Sequence, residues 1–137
     1  MLKKIFISGL ILAIFSVIIG VYYIFIYSVN HHRNVNEEVS IKISATDLVK
    51  EFQKDEVLSN KMFLNKAISV KGSIVNVDKD QTGKTTLLIG SETELTNVFV
   101  TLKVPIVNFK LGDTIVAKGI CNGFLSDVVL IDAVIEN

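Results

Sequence analysis

Cysteine occurs once in this chain, at Cys121. A single thiol forms no intramolecular disulfide. Histidine occurs only as the adjacent pair His31 and His32. Neighbouring side chains point apart on a helix or a strand, so this pair is read as interfacial polar residues. One cysteine and two adjacent histidines do not supply the ligand set and spacing of a metal site. An excess of positive charge is also missing: 14 Lys and Arg stand against 14 Asp and Glu. Nucleic-acid binders usually carry a basic surface, because neutralised phosphates supply much of the affinity. Here the lysines are scattered singly. The chain has no internal repeat and no low-complexity segment.

Charge is absent altogether from Ile5 to Val29, a run of 25 residues. A helix of that length rises about 37 Å, enough for a hydrocarbon core of about 30 Å with some tilt. A cleaved signal peptide has a shorter apolar region that ends in small residues. This run ends in Tyr22, Tyr23 and Tyr27, which suit an aromatic belt at a membrane surface. A lipoprotein signal needs a cysteine just after the run, and Cys121 lies far away. The reading is an uncleaved single-pass anchor in membrane lipid. Lys3 and Lys4 precede it, while Arg33 beyond it is diluted by Glu37 and Glu38. Lys and Arg favour the cytoplasmic side, so the N-terminus is expected inside and the rest outside.

The chain divides into an anchor (1–29), a tether (30–42) and a domain (43–137). From His31 onward there are 12 Lys and Arg (the 14 less Lys3 and Lys4) against 14 Asp and Glu, a slightly acidic −2. In the domain, "ISATDLVKEFQKD" predicts a helix, with Ser44 as N-cap and Asp47 completing an acidic capping box. Leu48, Val49 and Phe52 share one face. "EVLSNKMFLNK" adds a turn or two, with Phe63 and Leu64 packing at its exit. "AISVKGSIVNV" alternates and is rich in β-branched residues, as a strand is. Gly72 interrupts it and suggests a bulge or bend. "DKDQTGK" predicts a hairpin turn with Gly83 at positive φ. "TTLLIGS" and "NVFVTLKV" follow as strands, joined by "SETELT". Pro105 ends pairing. After the turn "NFKLGD" come a fourth strand, "TIVAKGIC", and a fifth, "VVLIDAVIE". Five short strands with a glycine bend in a long first strand suit a small closed barrel, which removes exposed edges.

Two segments carry a family resemblance. "DLVKEFQKDEVLSNKMFLNKAISVKGSIVNVDKD" and the closing "LGDTIVAKGICNGFLSDVVLIDAVI" resemble the tRNA-anti-like family of OB-fold domains, over about residues 46–135. Phe63 stands at the family's usual Tyr, Asn65 at its Gly and Lys66 at its Lys. Asn tolerates a left-handed turn, so the middle departure costs little. The family's second cysteine near the end of the last strand is Ala133 here. The resemblance implies a mainly β, five-stranded OB barrel preceded by an α-helix, in a family often held at membranes. It implies no established activity, since fold does not give function.

Few residues offer chemistry. A reactive Cys121 needs a partner that lowers its pKa, and the histidines lie about 90 residues earlier. The preferred reading is a small buried residue at a strand end. "GKTT" at 83–86 resembles the end of a phosphate loop, but Asp78 occupies the place of the first glycine and strands flank it. Asp78 and Asp80 open like an EF-hand loop, yet Ile89 stands where the closing Glu belongs. Asp127 is read as a turn cap and Asp132 as solvent-facing. No catalytic residue, metal ligand or cofactor is assigned.

OB domains bind oligonucleotides or oligosaccharides across their second and third strands and adjoining loops. The candidates there are Phe99, Phe109, Lys110 and Phe124. Phe99, between Val98 and Val100, is read by preference as core, and Phe124 as a plug at the barrel end. Such a surface is thin for stacking bases. The expected function is a non-catalytic, membrane-anchored binding module or adaptor of the cell envelope, on the extracytoplasmic side, recognising an envelope protein, peptide or glycan. The alternative is single-stranded nucleic-acid binding, which charge and topology disfavour.

Overall fold

The computed structural model describes residues 2–27, 34–90, 95–105 and 108–136, with side chains in the first stretch only for 9 and 11–25. Val29, His31, His32 and Arg33 therefore lie outside the described residues, as does most of the "SETELT" loop. The chain forms two compact units, Met1–Asn34 and Val35–Asn137.

The first unit is helical. Helix α1 spans Leu2–Tyr22, and a π-helical turn covers Tyr23–Tyr27. Among the described residues no helix is long and apolar enough to cross a membrane.

The second unit is a barrel. Strand β1 is Ile41–Ser44, followed by helices α2 (Ala45–Lys54) and α3 (Glu56–Phe63). Strands β2 (Ala67–Lys79), β3 (Thr85–Gly90), β4 (Val98–Leu102), β5 (Thr114–Phe124) and β6 (Val128–Glu136) complete it. Hydrogen bonding runs β1-β2-β3-β4-β6-β5, and β5 returns to β2. The five strands β2 to β6 thus close on themselves, with β4 and β6 parallel and the other barrel pairs antiparallel. This is the expected OB barrel with its leading helix. The sequence reading gave no strand over 41–44; β1 lies parallel to β2, pairing Ile41–Ser44 with Ile68–Lys71.

The long β2 makes closure possible. Its first half pairs with β5 from Ala67 to Ser73, and its second half with β3 from Ser73 to Lys79. The exchange occurs beside Gly72. A Cβ there would lie 2.6 Å from Ile89 Cγ2 and 2.9 Å from Ala45 Cβ, so no larger residue fits without displacement. The bulge falls two residues later, between Ile74 and Asn76.

The caps of the helices follow their sequence. Ser44 Oγ accepts the Asp47 N–H at 3.1 Å and donates to the Asp47 carboxylate at 2.6 Å. Asp55 ends α2 and caps α3, accepting the Leu58 N–H at 2.9 Å. Ala45, Leu48, Val49 and Phe52 of α2 are buried in the core, together with Phe63, Ile68, Val70, Leu87, Ile89 and Leu130. Phe63 packs as expected, whereas Leu64 is 39 % exposed. Asn65 takes φ +59° and Gly83 φ +81°, both as expected.

Candidate ligand-binding face

The period-2 pattern of β4 decides the site. Val98, Val100 and Leu102 point inward and are buried. Phe99 is on the other phase and is 37 % exposed. The expectation that Phe99 is core is therefore corrected: three aliphatic side chains claim the inner face, and a strand displays alternate residues on opposite faces. The signal was present in the sequence, since Phe99 shares its phase with the polar Thr101 and Lys103.

Phe99 sits at the centre of a cross-strand row. It pairs with Leu88 of β3, and Leu88 pairs with Asn76 of β2. Together with Asp78, Lys79, Asp80, Thr86 and Leu87 these residues line a hollow of about 340 Å³. Its upper rim is the β2–β3 hairpin. There Asp80 Oδ1 accepts the Thr82 N–H at 2.8 Å, the Thr82 hydroxyl at 2.7 Å and the Lys84 N–H at 2.9 Å. The bond from the Thr82 hydroxyl, with help from the backbone donors, holds the Asp80 carboxyl below its ordinary range. The rim is thus ordered around the Asp80 carboxylate. Such a rim, with two carboxylates to the one ammonium of Lys79, offers acceptors to hydrogen-bond donors.

The other candidates do not join this row. Phe109 is half-buried against the barrel core, and Lys110 is exposed in the loop where its N–H meets Asp113 at 3.1 Å. Phe124 stacks on Phe52, with ring centroids 5.7 Å apart and planes 21° from parallel. Phe52 in turn meets Phe63 at 5.9 Å. Phe124 plugs the barrel end, as expected.

Cys121 is not at a strand end. Strand β5 continues three residues past it to Phe124, and the turn falls at 125–127. Its side chain is fully buried, and burial pushes the thiol up from its ordinary pKa, partly offset by the Gly123 N–H. A buried, protonated thiol is a poor nucleophile. Its backbone has a task of its own: Cys121 C=O accepts from Asn65 at 2.8 Å, and its N–H donates to Lys66 C=O at 3.0 Å. These bonds fix the entry to β2. Asp127 accepts the Asn97 N–H at 2.7 Å and so ties the last turn to the start of β4. Asp132 faces solvent at φ +50°, where β6 carries an extra residue against β5. Among the described residues no three His, Cys, Asp or Glu side chains gather as a metal set.

A model of the tRNA_anti-like family matches residues 1–135. Among solved structures, a lipoprotein of Klebsiella pneumoniae subsp. pneumoniae MGH 78578, proposed to bind nucleic acid, matches with a TM-score of 0.57 at 12 % identity. The match covers 72 % of this chain and 92 % of that one. At that identity the likeness speaks for the fold alone. No curated protein matches the chain.

Proposed function

We propose that this chain, which belongs to the tRNA_anti-like family, is a non-catalytic OB-type binding module that takes its ligand on the Phe99 face. The carrying observation is the displayed Phe99, opposite Leu88, in a hollow rimmed by Asn76, Asp78 and Asp80. An aromatic floor edged by two carboxylates, an amide and the Lys79 ammonium suits an uncharged ligand rich in hydroxyl or amide groups, a glycan or an extended peptide. OB barrels use this part of their surface, the second and third barrel strands and the first hairpin.

The module is held at a membrane by residues 5–29 and displayed on the extracytoplasmic side. Two observations support this. Leu12, Phe15 and Phe25 are each at least 65 % exposed, an arrangement that calls for an apolar medium around them. Lys3 and Lys4 precede the run, and Lys and Arg stay preferentially on the cytoplasmic side.

A titration with a neutral β-linked N-acetylglucosamine oligomer and with an uncharged peptide, followed by backbone amide NMR, tests the binding face. At least one probe is expected to shift the amides of Leu88 and Phe99, and Phe99→Ala is expected to remove the shifts. Shifts confined elsewhere would exclude this face. A second reading, single-stranded nucleic acid, has in its favour the fold shared with the Klebsiella protein. Micromolar binding of an oligothymidine that weakens steeply with salt would establish it over the first.

A further inference from the structure

A second hollow lies on another part of the barrel, outside β1, β2 and β5. It measures about 590 Å³ and is lined by Lys42, Ser44, Ser69, Lys71, Val116 and Glu136 among others. The register explains why these residues converge. Lys42 pairs with Ser69, which pairs with Lys118. One step along, Ser44 pairs with Lys71, then with Val116 and Glu136. Alternation puts both rows on the face away from the core, because Val70 between them and Ile68 before them are fully buried in the core, although Ser69 and Lys118 of the first row are themselves covered.

The charges in this hollow are unequal in their commitments. Lys118 is 6 % exposed, and its ammonium is already spent: it donates to Asn36 C=O at 3.1 Å and lies 3.9 Å from Glu136 Oε1. Glu136, the lining carboxylate, is therefore engaged by Lys118. The nearby Asp47 carboxylate is engaged by the Ser44 hydroxyl. Ser69 Oγ shares a hydrogen bond with Ser40 Oγ at 2.7 Å. Lys42 and Lys71 remain, both exposed, and neither has a salt bridge among the described residues. Two uncommitted ammonium groups thus flank one concave site, above a floor that includes Val116.

We propose that this β1–β2–β5 hollow is a binding site for a phosphate group, held between Lys42 and Lys71. A phosphate carries one negative charge as a diester and about −1.5 to −2 as a monoester at neutral pH, within what two lysines offset. Lysine serves phosphate as a compact point charge. The site is distinct from the Phe99 face, where two carboxylates stand with the single Lys79; here two lysines stand with Glu136, which Lys118 already faces.

Lysine acetylation rates in the full chain, read residue by residue by mass spectrometry, test the assignment. The two probes are pyrophosphate at matched ionic strength, with the chain in neutral detergent, and phosphatidylcholine vesicles with or without phosphatidylglycerol. Lys84, exposed on the hairpin, is the reference. Lys42 and Lys71 are expected to be protected severalfold relative to Lys84. Protection by pyrophosphate identifies a free phosphate compound as the source. Protection only by the phosphatidylglycerol vesicles identifies a lipid headgroup. In Lys42→Gln the protection of Lys71 is expected to disappear, and in Phe99→Ala it is expected to persist, which separates this site from the other. Unchanged rates with both probes, or full protection of Lys71 in Lys42→Gln, would overturn the proposal.

Discussion

Two phenylalanines with the same side chain hold opposite positions, and that contrast can be measured. Phe124 stacks on Phe52 inside the barrel end, whereas Phe99 stands on the outer face. Phe124→Ala is expected to destabilise the fold by about 2–3 kcal/mol, somewhat below the range for a fully buried phenylalanine because Phe124 is half-buried. Phe99→Ala is expected to change stability by less than about 1 kcal/mol while removing ligand-induced shifts at Leu88. Urea denaturation of both variants checks the pair. Asp80 makes a pH prediction. Its folded-state pKa is depressed, chiefly by the Thr82 hydroxyl. Its contribution to stability is therefore present above the unfolded value of about 3.9 and is lost as pH falls through the folded value. Asp80→Asn is expected to melt below the native protein at pH 7, and the two melting temperatures are expected to converge in strong acid. Cys121, buried and protonated, is expected to resist a thiol reagent in the native state and to react once unfolded.

At the scale of the elements, much was legible in the sequence. Ser44, Asp47 and the apolar face of α2 were readable because capping and 3.6-residue periodicity are local. The Asp80–Lys84 hairpin was readable for the same reason, through Gly83. β1 was not: four residues carry little periodicity, and Ile41–Ser44 becomes a strand only because β2 offers a free edge at Ile68–Lys71. The extent of β5 was likewise hidden. Gly119 and Gly123 look like turn residues, yet Gly119 is needed for close approach to β6, where a Cβ would lie 3.0 Å from Ala133 Cβ. Of the candidate site, Phe99 was named but placed on the wrong face, and Leu88 and Asn76 join it only through register. The lysine hollow depends on three strands distant in sequence, so scattered lysines gave no hint of it. The bend in β2 has its own test. Gly72→Ala is expected to cost about 1–3 kcal/mol, since the new methyl would meet Ile89 and Ala45. Thermal denaturation checks this, and a neutral result would show that α2 shifts freely against the barrel.

At the scale of the whole molecule, an apolar N-terminal run precedes a barrel whose outer surface is chemically divided. The Phe99 face is acceptor-rich and suits uncharged ligands; the β1–β2–β5 face offers two uncommitted lysines. The compartment decides which partners either face meets, because nucleic acid is abundant inside a cell and glycans and peptides are available outside it. The central claim is thus a binding module displayed outside the membrane, and one labelling experiment addresses it. Gln81→Cys puts an exposed thiol on the hairpin, while the buried Cys121 contributes no background. A membrane-impermeant maleimide applied to intact cells is expected to label Gln81→Cys and to leave the parent chain unlabelled. Labelling of Gln81→Cys only after lysis would place the barrel inside and contradict the account.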